Sequence, residues 1–250
     1  MTPWPLPFWV AHRGAGKAAP ENTLAAFQLG LASGFRAFEC DVQLSLDGTP
    51  FLLHDDLLDR TSNGSGLACD LPWGTLAALD AGSWHSPAFA GEPLLSLAGL
   101  AELAREHQLQ INLELKPSPG QAQRVGAGVA AWLREHWKAP TPLLSSFEPE
   151  ALQAAAGHGW PLALLREAWS DDALPLAQQL GCVALVCHHA SLSRSAIAQL
   201  HGAQLRALTY TVNDTSEAQR LIKAGLDGLI TDQLDLPASV ASAQQGERAN

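Results

Sequence analysis

The sequence predicts a single TIM-type (β/α)8 barrel with a small insertion after the second strand, and three observations carry that reading. Short apolar runs alternate with helix-patterned segments along the whole chain, which implies a mainly parallel sheet covered by helices. Seven or eight such units fit into 250 residues, close to the length that a closed barrel of this kind uses. The stretch at about 54–93 breaks the rhythm: Gly, Ser, Asp and Trp replace periodicity there, as in a functional insertion or lid. The whole of 1–250 is therefore read as one domain.

Taken in order, the first strand is read at 8–11 and the first helix at 23–33, with Asn22 as its N-cap and Gly34 just past its end. Apolar runs at 37–44 and 50–54 give the next two strands, and the insertion follows. Beyond it, strands at 110–115, 142–147, 162–165, 182–187, 204–211 and 228–231 alternate with helices at 97–107, 121–137, 149–158, 173–180, 193–201 and 215–224. Asp214 opens the last of these helices, and Gly181 and Gly225 follow helix ends. Residues 243–250 read as a frayed polar tail.

Composition narrows the function classes. With 15 Lys and Arg against 25 Asp and Glu, the net charge of −10 argues against nucleic-acid binding, which needs a basic footprint. A small anionic substrate stays open, because a few cations and a metal can reverse the field in one cleft. Cys40, Cys69, Cys182 and Cys187 match neither a zinc ribbon nor a disulfide framework, and Cys40 and Cys182 read as buried free thiols. The first residues make a poor signal peptide, and no run of apolar residues is long enough to span a membrane. A cytoplasmic protein without a stable membrane anchor, as a monomer or homodimer, is the expectation.

The chemistry lies at strand ends. His12 and Arg13 follow the first strand, on the face where TIM barrels carry their active sites. Glu39 and Asp41 share one face of the second strand, with Cys40 and Val42 on the other. Two carboxylates pointing together into a barrel mouth repel unless a cation sits between them, and a hard divalent ion fits that need. His54 follows the run 50–53, where it can form an acid–base pair with His12. Asn112, Glu114 and Lys116 again share a face, and Pro117 ends their strand at the rim. Each stretch alone has an ordinary structural explanation; their joint placement on one barrel face does not.

These residues resemble the glycerophosphodiester phosphodiesterase family, in particular its small bacterial cytosolic members. The matching motifs are HRG at 12–14, PENT at 20–23, E-x-D at 39–41, HD at 54–55, D-R-T-x-N-G-x-G at 59–66, E-x-K at 114–116, SSF at 145–147, TVND at 211–214 and DGLITD at 227–232. They follow the family's order along nearly the whole chain. The family commonly has Trp before TVND, where this chain has Tyr210, and Pro after the last motif, where it has Leu234.

The resemblance implies Mg²⁺ or Ca²⁺ on Glu39, Asp41 and Glu114, His12 and His54 as general base and acid, and Arg13 and Lys116 on the phosphate. The implied reaction releases sn-glycerol 3-phosphate from a small glycerophosphodiester. His12 is weakly favoured as base and His54 as acid, and Trp84, Phe147 and Tyr210 are candidates to line the pocket. Two alternatives are a lysophospholipase D-like activity, for which Trp73, Trp84 and Phe89 would supply an apolar groove, and a non-catalytic sensor of glycerophosphodiesters.

Overall fold

The computed structural model describes residues 4–249, and side chains as far as Ala243. Eight parallel strands close into a barrel: β1 (Trp9–His12), β2 (Ala37–Leu44), β4 (Gln110–Leu115), β5 (Leu143–Ser146), β6 (Leu162–Arg166), β7 (Ala184–His188), β8 (Arg206–Tyr210) and β9 (Gly228–Thr231). Pairing of β1 with β9 on one side and with β2 on the other completes the ring. The outer helices are α1 (Leu24–Ala32), α3 (Leu97–His107), α4 (Ala122–His136), α5 (Pro149–Ala155), α6 (Ala173–Gln179), α7 (Arg194–Gly202), α8 (Thr215–Ala224) and α9 (Leu236–Ala249). The remaining strand, β3 (Pro50–Leu52), and the one-turn helix α2 (Trp73–Leu76) lie between β2 and α3.

Strand parity sorts the side chains. Val10, Ala37, Leu143, Leu165, Val186, Leu208 and Ile230 fill the barrel interior, closed off by Leu6 at its N-terminal end. Ala11, Phe38, Cys40, Val42, Leu113 and Leu115 point outward and pack under the helices. Glu39, Asp41, Gln43, Asn112 and Glu114 therefore point inward, all buried. Burying so many polar groups in one layer is costly unless something satisfies them, so this layer marks the site.

Three expectations need correction. The run 50–54 is not a barrel strand: β3 runs antiparallel to β2 and pairs through Val42 with Leu52 and Leu44 with Pro50, on the edge that β1 occupies lower down. His54 thus reaches the barrel mouth from the start of the insertion and not from a barrel strand. Asn22 does not cap α1: Thr23 does, its hydroxyl accepting from Ala26 N at 3.3 Å while donating to Pro20 O. Asn22 sits instead at φ +59° and turns its amide to Asp41. Finally, the tail expected at 243–250 is helical as far as Ala249, since α9 seats Leu236 and Val240 in the core; Asn250 lies outside the described residues.

The insertion has its own small core of Phe51, Leu53, Leu58, Ala68, Leu76, Ala81 and Leu94. Side chains add to the backbone bonds that shape its loops: the Asp80 carboxylate accepts from Gly82 N, Ser83 N, Gly91 N and the Ser83 hydroxyl. It docks on the barrel through Glu92, which accepts from Ala25 N in the first turn of α1 at 2.9 Å, and through His85, whose Nε2 meets Lys17 O at 3.0 Å. All four cysteines are free, with Cys40, Cys182 and Cys187 buried. No helix among the described residues is long and apolar enough to cross a membrane.

Candidate active site

Among the described residues, Glu39, Asp41 and Glu114 form a buried group whose carboxylate oxygens lie within 4.8 Å of one another. Their electrostatics are those of like charges forced together. Burial, then the charges of Asp41 and Glu114, push the Glu39 carboxyl well above the usual range, and burial with Asp41 raises Glu114 to about 7. Burial works the same way on Asp41, but Arg13, His54 and Lys116 outweigh it and hold Asp41 below the usual range. Asp41 Oδ1 is buried without a hydrogen-bond partner, as are both polar side-chain atoms of Asn112. Three hard oxygen donors converging on an orphaned lone pair fit a divalent cation.

Two cations complete the charge pattern. Arg13 lies at φ +51°, a strained conformation that turns its side chain back over the carboxylates: Nε is 3.3 Å from Asp41 Oδ2 and Nη1 2.8 Å from Glu21 Oε1. Lys116 Nζ donates to Glu114 Oε1 at 2.9 Å and to His54 Nε2 at 3.0 Å, with Asp41 Oδ1 at 3.8 Å. Three carboxylates against these two cations leave one net negative charge. A divalent cation would turn it to one positive charge, suited to a monoanionic ligand.

The two histidines sit in unlike surroundings. His12 is held between carboxylates, with Nδ1 2.6 Å from Asp232 Oδ1 and Nε2 3.7 Å from Glu39 Oε2. Asn213 fixes Asp232 in turn, donating to Oδ2 and accepting from the Asp232 backbone N–H. An ammonium group has only donors, so His54 Nε2 must present its lone pair to Lys116, and its proton is on Nδ1, donated to Asp55 Oδ1 at 2.7 Å. Burial, with Arg13 and Lys116, lowers the His54 pKa against the pull of Asp41. Gln43, one step further along the inward face of β2, donates to Leu53 O and Asp55 O and so clamps the chain on both sides of His54.

His12, Arg13, Glu39, His54, Glu114, Lys116, Phe147 and Tyr210 line one cavity of about 440 Å³. Phe147 and Tyr210 meet edge to face, and the Lys116 ammonium lies 5.8 Å from the Phe147 ring. A neighbouring cavity of about 540 Å³ shares His54, Glu114, Lys116 and Phe147 and extends past Asp55, Asp56 and Glu148. The structure thus brings together every predicted site residue except Trp84. That indole is bonded to Ala81 O within the insertion, 39% exposed, and lines neither cavity. Nor do Trp73, which packs on Phe51, or Phe89, which packs on His85.

Sequence reading missed Asp232, Asn213, Asn22 and Gln43 as parts of the site. Gln43 had a signal, since it continues the inward parity of Glu39 and Asp41. Asn22 reads only as a helix cap, Asn213 and Asp232 fall inside matched motifs without an assigned role, and the partners of all three are distant in sequence.

Residues 12–236 match the model of the glycerophosphoryl diester phosphodiesterase family. Among similar proteins, the glycerophosphodiester phosphodiesterase of Caldanaerobacter subterraneus subsp. tengcongensis is 29% identical over 226 residues, which cover 89% of this chain and 93% of that one. An Oleispira antarctica phosphodiesterase solved in complex with the product sn-glycerol-3-phosphate is 34% identical with a TM-score of 0.88, covering 96% of this chain and 97% of its own. The Agrobacterium tumefaciens glycerophosphodiester phosphodiesterase structure is 26% identical with a TM-score of 0.78, over 94% of this chain and 100% of its own.

Proposed function

The chain belongs to the glycerophosphoryl diester phosphodiesterase family, and from that membership we propose that it hydrolyses small glycerophosphodiesters to sn-glycerol 3-phosphate and an alcohol with a bound divalent cation. The observation that carries this reading is the buried Glu39, Asp41 and Glu114 group, of which Glu39 and Glu114 line one cavity with two cations and two histidines.

Glu39, Asp41 and Glu114 would hold Mg²⁺ or Ca²⁺, which supplies Lewis-acid stabilisation of charge on the phosphoryl group. Arg13 and Lys116 grip the non-bridging phosphate oxygens, Arg13 through its fork and Lys116 as a point charge. Phe147 and Tyr210 wall the organic part of the substrate. With its proton on Nδ1, and with the Nε2 lone pair released as Lys116 turns to the phosphate, His54 is the base that takes the proton from the nucleophile, water or the glycerol 2-hydroxyl. His12, whose ring is held by Asp232 at Nδ1 so that Nε2 faces the cavity, gives its Nε2 proton to the leaving alcohol oxygen. This is the reverse of the base and acid assignment that the sequence weakly favoured, and the partners of the ring nitrogens support it. The apolar groove that a lysolipid substrate needs has no support, since Trp73, Trp84 and Phe89 line neither cavity.

The test is release of sn-glycerol 3-phosphate from glycerophosphocholine with Mg²⁺ or Ca²⁺, with EDTA, and in His12→Ala and His54→Ala. Release that requires the metal and both histidines is expected. No release from any simple glycerophosphodiester by folded, metal-loaded protein would overturn the reading and leave a binding protein.

A further inference from the structure

Arg60 is the one member of the D-R-T segment whose side chain reaches toward the site, and it does so from the insertion. Its guanidinium makes two forked pairs at once. Nη1 and Nη2 donate to Glu21 Oε2 and Oε1 at 2.9 and 2.8 Å, while Nε and Nη2 donate to Asp55 Oδ2 and Oδ1. Each carboxylate it holds has a second task. Glu21 Oε1 also accepts from Arg13 Nη1 at 2.8 Å, and Asp55 Oδ1 accepts from His54 Nδ1 at 2.7 Å. A single planar group thus connects the loop after β1, which carries the phosphate-binding arginine, to the insertion, which carries the base.

We propose that Arg60 is a positioning residue that fixes Arg13 through Glu21 and His54 through Asp55 and so sets the distance between phosphate and base; this rests on the phosphodiesterase reading above. Geometry supports it over a role in stability. Arg60 is 44% exposed, and exposed ion pairs contribute little to folding, yet four aligned bonds from one fork are far more than a surface charge needs. A lysine keeps the charge but has no plane with which to hold two carboxylates in a fixed relation.

The experiment compares wild type, Arg60→Ala, Arg60→Lys, Glu21→Gln and Asp55→Asn on glycerophosphocholine with Mg²⁺. In parallel, NMR follows the His54 Nδ1–H resonance in the substrate-free proteins. Arg60→Ala is expected to melt within a few degrees of wild type but to lose about 100-fold in kcat/KM, the scale of a displaced catalytic group. Glu21→Gln should mainly raise KM, by loosening Arg13. Asp55→Asn should mainly lower kcat, by loosening His54, and Arg60→Ala should do both. The His54 Nδ1–H signal should be sharp in wild type and lost in Arg60→Ala, and Arg60→Lys should restore neither signal nor rate.

Wild-type kcat/KM in Arg60→Ala, full rescue by Arg60→Lys, or an unchanged His54 signal would overturn the proposal. Absence of turnover by wild type itself would count against the phosphodiesterase reading instead, and the resonance would still decide the role of Arg60.

Discussion

Replacing Glu114 by Gln should make the metal-free protein more stable while abolishing activity, and the size of the gain follows from the site. Glu114 is 8% exposed, and its carboxyl is raised from an ordinary 4.5 to about 7 by burial and by Asp41, net of the help it receives from Lys116. Below 4.5 the folded and unfolded chains are both protonated and the site contributes no difference. Between 4.5 and about 7 the folded protein holds a proton that the unfolded chain has lost, so stability falls as pH rises. Above that window the whole penalty is present, about 3 kcal/mol at roughly 1.4 kcal/mol per pH unit. Glutamine keeps the shape and an oxygen for Lys116 but carries no charge.

Urea unfolding in EDTA should therefore show Glu114→Gln close to wild type at about pH 4.5 and about 3 kcal/mol more stable at pH 8. The Glu39 carboxyl, raised in the same direction, steepens the same slope in wild type. Added Mg²⁺ or Ca²⁺ should stabilise wild type and erase the advantage of the variant, since the ion binds only the folded site. If Glu114→Gln is no more stable than wild type at pH 8 in EDTA, or its advantage does not change with pH, the account of the carboxylate group as a strained cation site is wrong.

Other substitutions probe the supports of the site. Asp232→Asn should leave the fold intact but lower kcat about 100-fold with little change in KM, because the amide donates where His12 needs an acceptor; steady-state kinetics and circular dichroism test this. Gly16→Ala should destabilise the protein by about 1–3 kcal/mol in thermal unfolding. Gly16 has φ +57°, and a Cβ there would lie 2.3 Å from the Asp232 backbone. Glu92→Ala removes the cap on Ala25 N and should cost about 1 kcal/mol, with faster proteolysis of the insertion than of the barrel.

Strand parity made the buried carboxylate group legible, because inward and outward residues alternate wherever a barrel wall is buried on both sides. Glu39, Asp41 and Glu114 needed no more than that rule. Parity has no sense of direction, however, so β3 read like any other apolar run although it is antiparallel. Asn22 and Thr23 are both good capping residues, and the choice between them is made by Asp41, which claims the Asn22 amide. The partnership of His12 with Asp232 spans 220 positions and leaves no local trace. Trp84 was a candidate pocket wall as an aromatic residue of the insertion, yet its indole is satisfied within its own loop. The α9 signal, Leu236 and Val240 one turn apart, was present but too short to outweigh a polar tail.

The handover on β2, where β1 yields its edge to β3, divides His12 and His54, the proposed acid and base, between the barrel and the insertion. His12 shares the rigidity of the ring, whereas His54 belongs to an appendage with a core of only a few side chains. Such units open at different free energies, the smaller one first. Warming should then uncouple the two histidines while the ring remains closed, so turnover fades below the temperature at which the barrel melts. The appendage would act as the enzyme's thermal fuse.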